Sequence, residues 1–370
     1  SQQYKTPAAW GADTLSASTR GNMFLTAIHK LDHDKEQLEY LTKKGRLPPE
    51  SEDLLLDYIH VRDMIISEIQ GHTATEPVRG AFYMMRPHMF ERLHGVYNSL
   101  VYVPPPPGSL PGGETKSSLG RPWHPTGFQR ALNPSLDWGA IEKSYLKQDL
   151  PLLWFDGFLT SEALEGVLDF CREATVFFDV RAGYLGAYMN EGLTSPWLLQ
   201  IATELGEMLP KVLEGMVLTN MWAYKYDSDT SMEGITVHAD NAAVNLNFWI
   251  CPDEANLDPE TGGLVVYPTE PPNGGAVASI HSSRGTERKG QVDSIWNDWS
   301  KKAYIKSWLR EEGHLYSAVN IPHKQNRAVL FDSRLLHETA PFRFKPGYAN
   351  RRINLTFLFS PATEGSLSSP

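Results

Sequence analysis

The stretch Thr236-Val237-His238-Ala239-Asp240, followed by Asn241-Ala242-Ala243-Val244-Asn245-Leu246-Asn247-Phe248-Trp249, decides how the rest of the chain is read. Side chains on an extended backbone alternate between faces, so His238 and Asp240 point the same way. One imidazole and one carboxylate on one face are two thirds of a two-histidine, one-carboxylate site. Such a site binds Fe(II) on one side and leaves the other side open. His-x-Asp alone is a weak pattern. Its meaning depends on a second histidine and on a way to hold a co-substrate.

Working downstream, the apolar run Ala328-Val329-Leu330-Phe331 predicts a buried strand, and His337 follows after a short turn. Any single one of the twelve histidines reads more simply as a packed or surface residue. The order His-x-Asp, a long interval, then His in a strand-turn context is more specific. Next comes Arg351-Arg352-Ile353-Asn354-Leu355-Thr356-Phe357, an alternating strand. Arg352, Asn354 and Thr356 share one face, while Ile353, Leu355 and Phe357 share the other. A cation on the inner face of a barrel is expensive unless an anion meets it. A guanidinium offers a carboxylate a two-pronged fork. Arg352 is therefore a candidate clamp for an organic acid, and Arg351 is its rival should the strand turn the other way. Upstream, Tyr224 and Tyr226 share a face and carry hydroxyls suited to the same acid, although core packing explains Tyr224 equally well. Asn245 and Asn247 also share a face, where buried amides need partners. Asn245 is a candidate for orienting a ligand or co-substrate. Asn241 reads as turn chemistry, and Gly262-Gly263 as a turn before the strand 264–267.

The totals narrow the field. Of 370 residues, 41% are hydrophobic and 21% charged, as in an ordinary globular protein. A net charge of −10 argues against a nucleic-acid partner. Cys171 and Cys251 are the only cysteines, which leaves no disulfide framework and no cysteine metal site, and fits a reducing, cytoplasmic setting. No apolar run approaches bilayer length, so no membrane partner is expected.

Taken in order, residues 1–103 read as a helical region. Helices are predicted around Phe24 to Leu41, from Ser51 through Ile66, and over 79–99. Residues 104–149 read as a Pro/Gly-rich linker and lead-in, with Pro104 to Pro107 at its head. A second domain is predicted over 150–362. It opens with a strand at Leu152 to Phe155 and a helix capped by Thr160. A strand at Val176 to Phe178, a mobile Gly- and Tyr-rich loop over 181–192 and a helix over 195–213 follow. Then come strands at 218–226, 234–238, 243–250, 263–267, 328–331 and 352–359, interrupted by a helical insertion over 286–316. Short strands with turn signals between them suggest an antiparallel barrel or sandwich.

His238-x-Asp240, His337 and Arg352-x-Asn354 together resemble the iron ligands and co-substrate clamp of the Fe(II)/2-oxoglutarate-dependent oxygenases. The run Trp154-Phe155-Asp156-Gly157-Phe158-Leu159-Thr160 and the approach from Tyr226 to His238 look like the prolyl-4-hydroxylase-like branch. The resemblance covers roughly 150–360; the Arg-x-Asn strand is shared with nucleic-acid demethylases of the same superfamily. It implies an α+β protein: a double-stranded β-helix, or jelly-roll, oxygenase core behind an N-terminal helical region. It implies His238, Asp240 and His337 as Fe(II) ligands, Arg352 as the clamp for 2-oxoglutarate, and O2 as the oxidant. Hydroxylation of a peptidyl, prolyl-like or small-molecule substrate, with release of succinate and CO2, is the implied reaction. Related halogenases carry a small residue in place of the carboxylate, so Asp240 favours hydroxylation or a related oxidation. Two other readings compete. A non-enzymatic binding protein would recruit a partner through the helical region. A zinc hydrolase would use the same ligand types but gives no reason for Arg352 beside Asn354.

Overall fold

Alternation along residues 216–226, 244–249 and 353–361 builds the sheet on which the candidate site stands. The computed structural model describes residues 24–48, 51–72, 79–105, 130–228, 234–269, 271 and 302–362. The N-terminal region holds strands β1 (Leu25–Thr26) and β2 (Tyr83–Met84), paired antiparallel, and helices α1 (Ile28–Lys43), α2 (Glu52–His72) and α3 (Pro87–Leu93). Leu31, Leu38, Tyr58, Val61, Ile65, Met89 and Leu93 form a core of their own between these helices. The helix predicted over 79–99 is shorter than expected. Proline in the first turn starts α3 without loss, because that N–H has no helical partner anyway. The residue before a proline is held extended, which stops the helix from starting earlier.

The remainder runs α4 (Trp138–Leu146), β3 (Leu152–Asp156), α5 (Ser161–Glu173), β4 (Asp179–Arg181), β5 (Tyr184–Tyr188), α6 (Pro196–Met208), β6 (Met216–Tyr226), β7 (Val244–Trp249), β8 (Leu264–Tyr267), α7 (Lys302–Glu311), β9 (Val319–Ile321), β10 (Arg327–Asp332), β11 (Leu336–Thr339) and β12 (Ile353–Pro361). Thr160 caps α5 as expected, its hydroxyl accepting the Ala163 N–H. Seven strands form one sheet in the order β3-β10-β7-β12-β6-β5-β4, and three form another in the order β11-β8-β9. Every pairing is antiparallel.

Period two sorts the side chains of the large sheet. Ala223, Leu246, Phe248, Leu330, Leu355 and Phe357 face out and pack with Val167, Leu168, Leu198 and Ile201 of α5 and α6. Burying a side chain of this size contributes about 1.5–3 kcal/mol. Trp249, Val329 and Phe331 face in, where they meet Leu264, Val266 and Ile321 of the small sheet. The two sheets thus lie face to face, and their polar inward residues line the space between.

Three expectations need correction. Residues 181–192 are not simply a loop, because β4 and β5 form a hairpin that extends the large sheet. Gly183, at φ +81°, makes its turn. The strand expected at Val176 to Phe178 begins later, at Asp179. The strand expected over 234–238 is reduced to a single bridge between His238 and His337. The linker lies mostly outside the described residues, as do Trp296 and Trp299 of the insertion, whose described end is α7. Among the described residues no helix is long and apolar enough to cross a membrane.

His323 gives the fold an acid sensitivity. It is buried against Trp249 and Phe344, with Nε2 3.0 Å from the Cys251 sulfur. Burial, reinforced by the charges of Arg352 and Arg327, pushes its imidazole down to about 3. Between that value and the ordinary histidine range, the unfolded chain binds a proton that the folded chain does not. Stability therefore falls as pH drops through that window, by up to about 1.4 kcal/mol per pH unit for this one group. The melting temperature of the wild type should fall between pH 7 and pH 5, and His323→Gln should flatten that slope. Parallel slopes would place the sensitivity elsewhere.

Candidate metal centre

His238 sits on the lone bridge that joins the segment before β7 to β11, and His337 is its bridge partner. Reciprocal backbone bonds, His238 N to His337 O at 3.0 Å and His337 N to His238 O at 2.8 Å, fix the pair. Their rings lie 4.4 Å apart, centroid to centroid. Asp240 follows two residues on, its N–H donating to the Ser333 carbonyl at 3.1 Å. All three side chains are buried, and one ligand atom from each lies within 4.8 Å of the other two.

The hydrogen bonds around the rings define their chemistry. His238 Nδ1 lies 2.7 Å from the Thr236 carbonyl, and His337 Nδ1 lies 2.9 Å from the Leu335 carbonyl. A carbonyl only accepts, so each Nδ1 carries the proton and each Nε2 keeps a lone pair. Those two Nε2 atoms face Asp240, at 3.5 Å from Oδ1 and 3.4 Å from Oδ2. This is the tautomer and the orienting contact that a metal-binding imidazole uses. Burial raises the Asp240 carboxyl, but the two imidazoles outweigh it and hold the group below the usual carboxylate range. Burial works against the imidazolium at His238 too, and there the hydrogen bond and charge of Asp240 prevail and raise its proton affinity. A metal would bind through the Nε2 lone pairs and the carboxylate, and so would compete with protons there.

Behind the carboxylate runs a file of amides. Asn245 Nδ2 donates to Asp240 Oδ2 at 2.5 Å, Asn247 Nδ2 to Asn245 Oδ1 at 2.6 Å, and Thr356 Oγ1 to Asn247 Oδ1 at 2.6 Å. Asn245 thus bears on the Asp240 carboxylate itself, while Asn241 is exposed. Asn247 and Thr356 complete the file, and their shared parity with Asn245 and Arg352 is the sequence signal that marks them.

Arg352 points inward and is 2% exposed. Its Nε donates to the Gly262 carbonyl at 2.7 Å, Nη2 to the Gly263 carbonyl at 3.2 Å, and Nη1 to Asn354 Oδ1 at 3.0 Å. These bonds use three of the five N–H donors of a guanidinium and leave two. The Tyr226 ring lies 4.5 Å and the Phe342 ring 5.5 Å from the guanidinium carbon. Among the described residues no carboxylate pairs with Arg352, so its charge meets only dipoles and rings. Arg351 points the opposite way, to Glu36 and Asp227.

Tyr226 lies between Arg352 and Tyr184, on which it stacks at 5.2 Å, and its hydroxyl is 3.4 Å from Thr339 Oγ1. Tyr224 stands one pair further along, its hydroxyl 3.5 Å from that of Tyr188. The Tyr184 hydroxyl is buried without a hydrogen-bond partner among the described residues. The glycine pair 262–263 does more than turn the chain. Gly262 has φ +86°, and a Cβ on Gly263 would lie 2.0 Å from the Ile321 carbonyl oxygen. Only glycines bring those two carbonyls to the guanidinium. Two consecutive glycines ahead of a strand were the available signal.

No protein-family model matches the chain, and no curated protein matches it. Among solved structures it is similar to the non-heme alpha ketoglutarate dependent epimerase SnoN from nogalamycin biosynthesis, at 14% identity over 61% of this chain and 81% of that one, with a TM-score of 0.39. It is similar to EctD from S. alaskensis with 2-oxoglutarate and 5-hydroxyectoine, at 10% identity over 60% of this chain and 75% of that one, with a TM-score of 0.38. A Pseudomonas putida prolyl-4-hydroxylase is similar at 14% identity over 60% of this chain and 98% of its own, with a TM-score of 0.34. Likenesses this distant assign no residue and no activity, and the chemistry of the site is read from its own side chains.

Proposed function

We propose that the chain is an Fe(II)- and 2-oxoglutarate-dependent dioxygenase that hydroxylates a C–H bond of a peptidyl or small-molecule substrate and releases succinate and CO2. In this reading the two facing sheets are a double-stranded β-helix, residues 150–362 are the oxygenase domain, and residues 1–103 are its helical companion. The observation that carries it is a buried guanidinium, with no carboxylate partner among the described residues, on the same inner face of β12 as the Thr356 that ends the file behind a two-histidine, one-carboxylate cluster. The first half asks for an anionic ligand and the second for a metal, and 2-oxoglutarate with Fe(II) answers both.

The donor set fits the metal. Two neutral imidazoles and one carboxylate, grouped on one side, suit Fe(II) and leave coordination positions open. Bound iron would supply the coupling of O2 reduction to oxidative decarboxylation of the 2-oxo acid. The protein's own part is to hold and orient. Thr236 and Leu335 fix the imidazole tautomers, and Asn245 fixes the Asp240 carboxylate. The two spare donors of Arg352 hold the far carboxylate of 2-oxoglutarate, with Tyr226 as the floor beneath. Tyr224 and Asn354 line the same inner face. A carboxylate at 240 leaves no room for a halide, which favours hydroxylation or a related oxidation. A zinc hydrolase would use the same triad but would leave the charge of Arg352 without a ligand.

Mn(II), as a redox-silent stand-in, should raise the melting temperature of the wild type, and 2-oxoglutarate should raise it further, since a ligand of the folded state stabilises it. Arg352→Ala should retain the metal shift and lose the 2-oxoglutarate shift, with a loss in co-substrate binding of about 2–4 kcal/mol. An unchanged 2-oxoglutarate requirement would move the clamp elsewhere. His238→Ala and Asp240→Ala should each abolish succinate formation with Fe(II) and 2-oxoglutarate while circular dichroism stays near wild type. Full turnover in either variant would refute the metal assignment.

A further inference from the structure

Arg351 and Arg352 are neighbours of identical chemistry at the entry to β12, so the two side chains themselves give no preference for which of them faces the interior. A half-turn of the backbone at this entry would exchange them, while Leu355 and Phe357, packed in the core, hold the rest of the strand in register. What separates them lies on the outer face. Arg351 donates to Glu36 of α1, from Nη2 at 2.9 Å and Nε at 3.3 Å, and to Asp227 from Nη1 at 3.1 Å. Asp227 is 1% exposed and directly follows Tyr226. It is also held by Arg79, from Nε at 3.1 Å and Nη2 at 3.3 Å, and Arg79 in turn grips Asp32 of α1 at 2.6 Å. His29 of α1 faces the Tyr184 carbonyl at 3.3 Å with one ring nitrogen and the Arg79 carbonyl at 3.0 Å with the other.

The same outer face holds Lys225, between Tyr224 and Tyr226. Its Nζ is buried, donates to the Tyr348 hydroxyl at 2.9 Å and lies 4.1 Å from the centre of the Phe177 ring. The Tyr348 ring rests on His33 and Tyr40 of α1, at 5.5 and 5.4 Å. Outward residues 225, 227 and 351 therefore all meet α1 or a residue that α1 holds. Inward residues 224, 226 and 352 are the ones read as lining the co-substrate site. Buried ion pairs yield little net stability, because desolvation offsets their attraction, and their best attested use is to specify register.

We propose that helix α1 is a positioning element of the co-substrate site, holding Arg351 and Asp227 outward so that Arg352 and Tyr226 face inward. This rests on the reading of the chain as a 2-oxoglutarate oxygenase. Glu36 and Arg79 touch neither metal ligand nor clamp and act only through Arg351 and Asp227. The helical region is then a working part of the oxygenase rather than a separable recruitment module.

The test uses the full chain and two separate affinities: Mn(II) by electron paramagnetic resonance, and 2-oxoglutarate by calorimetry with Mn(II) saturating. Glu36→Gln and Arg79→Gln should each weaken 2-oxoglutarate binding about three- to tenfold and leave Mn(II) affinity within about twofold of wild type. Glu36→Asp, which keeps the charge, should restore most of the loss. Equal weakening of metal and 2-oxoglutarate would overturn the inference, because a merely loosened fold does not choose between them. Wild-type 2-oxoglutarate binding that Glu36→Gln and Arg79→Gln leave unchanged would overturn it alone. A wild type that binds Mn(II) but no 2-oxoglutarate would overturn the oxygenase reading and this inference with it.

Discussion

A guanidinium buried among neutral groups keeps its charge, and a charge taken out of water must be met by something. At Arg352 the response is a ring of dipoles: two glycine carbonyls, one asparagine oxygen and the face of Tyr226. That demand reaches across the molecule. The carbonyls reach Arg352 only because Gly262 takes a left-handed turn and Gly263 lies flat against β9. The small sheet must therefore stack at this spacing over the large one. Tyr226 must face in, so its neighbours Lys225 and Asp227 must face out into the helices. The outer ion pairs, the glycine pair and the inner aromatic floor all bear on one buried cation.

The cluster of His238, Asp240 and His337 shares this scaffold. Thr356, which ends the file of hydrogen bonds behind Asp240, lies on β12 on the same face as Asn354 and Arg352. One strand thus carries both the buried guanidinium and the last support of the Asp240 carboxylate. A change confined to the entry of that strand would reach Arg352 before Thr356, four residues on, as would a local change at Gly262 or Gly263. The imidazoles are tuned independently, each by the carbonyl two residues before it, so their tautomers survive changes in the large sheet.

Parity along a strand is a local property, and it made the inward set legible in the sequence: His238 with Asp240, Tyr224 with Tyr226, Arg352 with Asn354. The structure keeps each pair on one face even where the regular strand at 234–238 fails and only a bridge remains. Other features depend on distant partners and left no local trace. The glycines and tyrosines of 181–192 read as a loop, yet Gly186 lies flat beneath the Tyr188 ring and the hairpin pairs with β6. Lys225 would read as a solvent-facing lysine; its burial is set by Tyr348 and Phe177. Asn245 was legible as a buried amide in need of a partner, but that the partner is Asp240 follows from the turn between them.

The choice between Arg351 and Arg352 shows where local reading stops. Parity with Asn354 and Thr356 names the inward residue if the entry of the strand keeps the register that Leu355 and Phe357 hold further along. Two adjacent arginines compete for one inner site, and the outcome depends on where the carboxylates are. Asp227 is nearby in the sheet, but Glu36 comes from a helix at the other end of the chain. With those two on the outer face, one guanidinium is neutralised there and the other is left inside without a carboxylate. An arrangement in which both arginines had acidic partners would leave nothing to attract an anionic ligand. Among the described residues the carboxylates that pair with these arginines lie outside β12, and that imbalance is what the proposed anion site rests on.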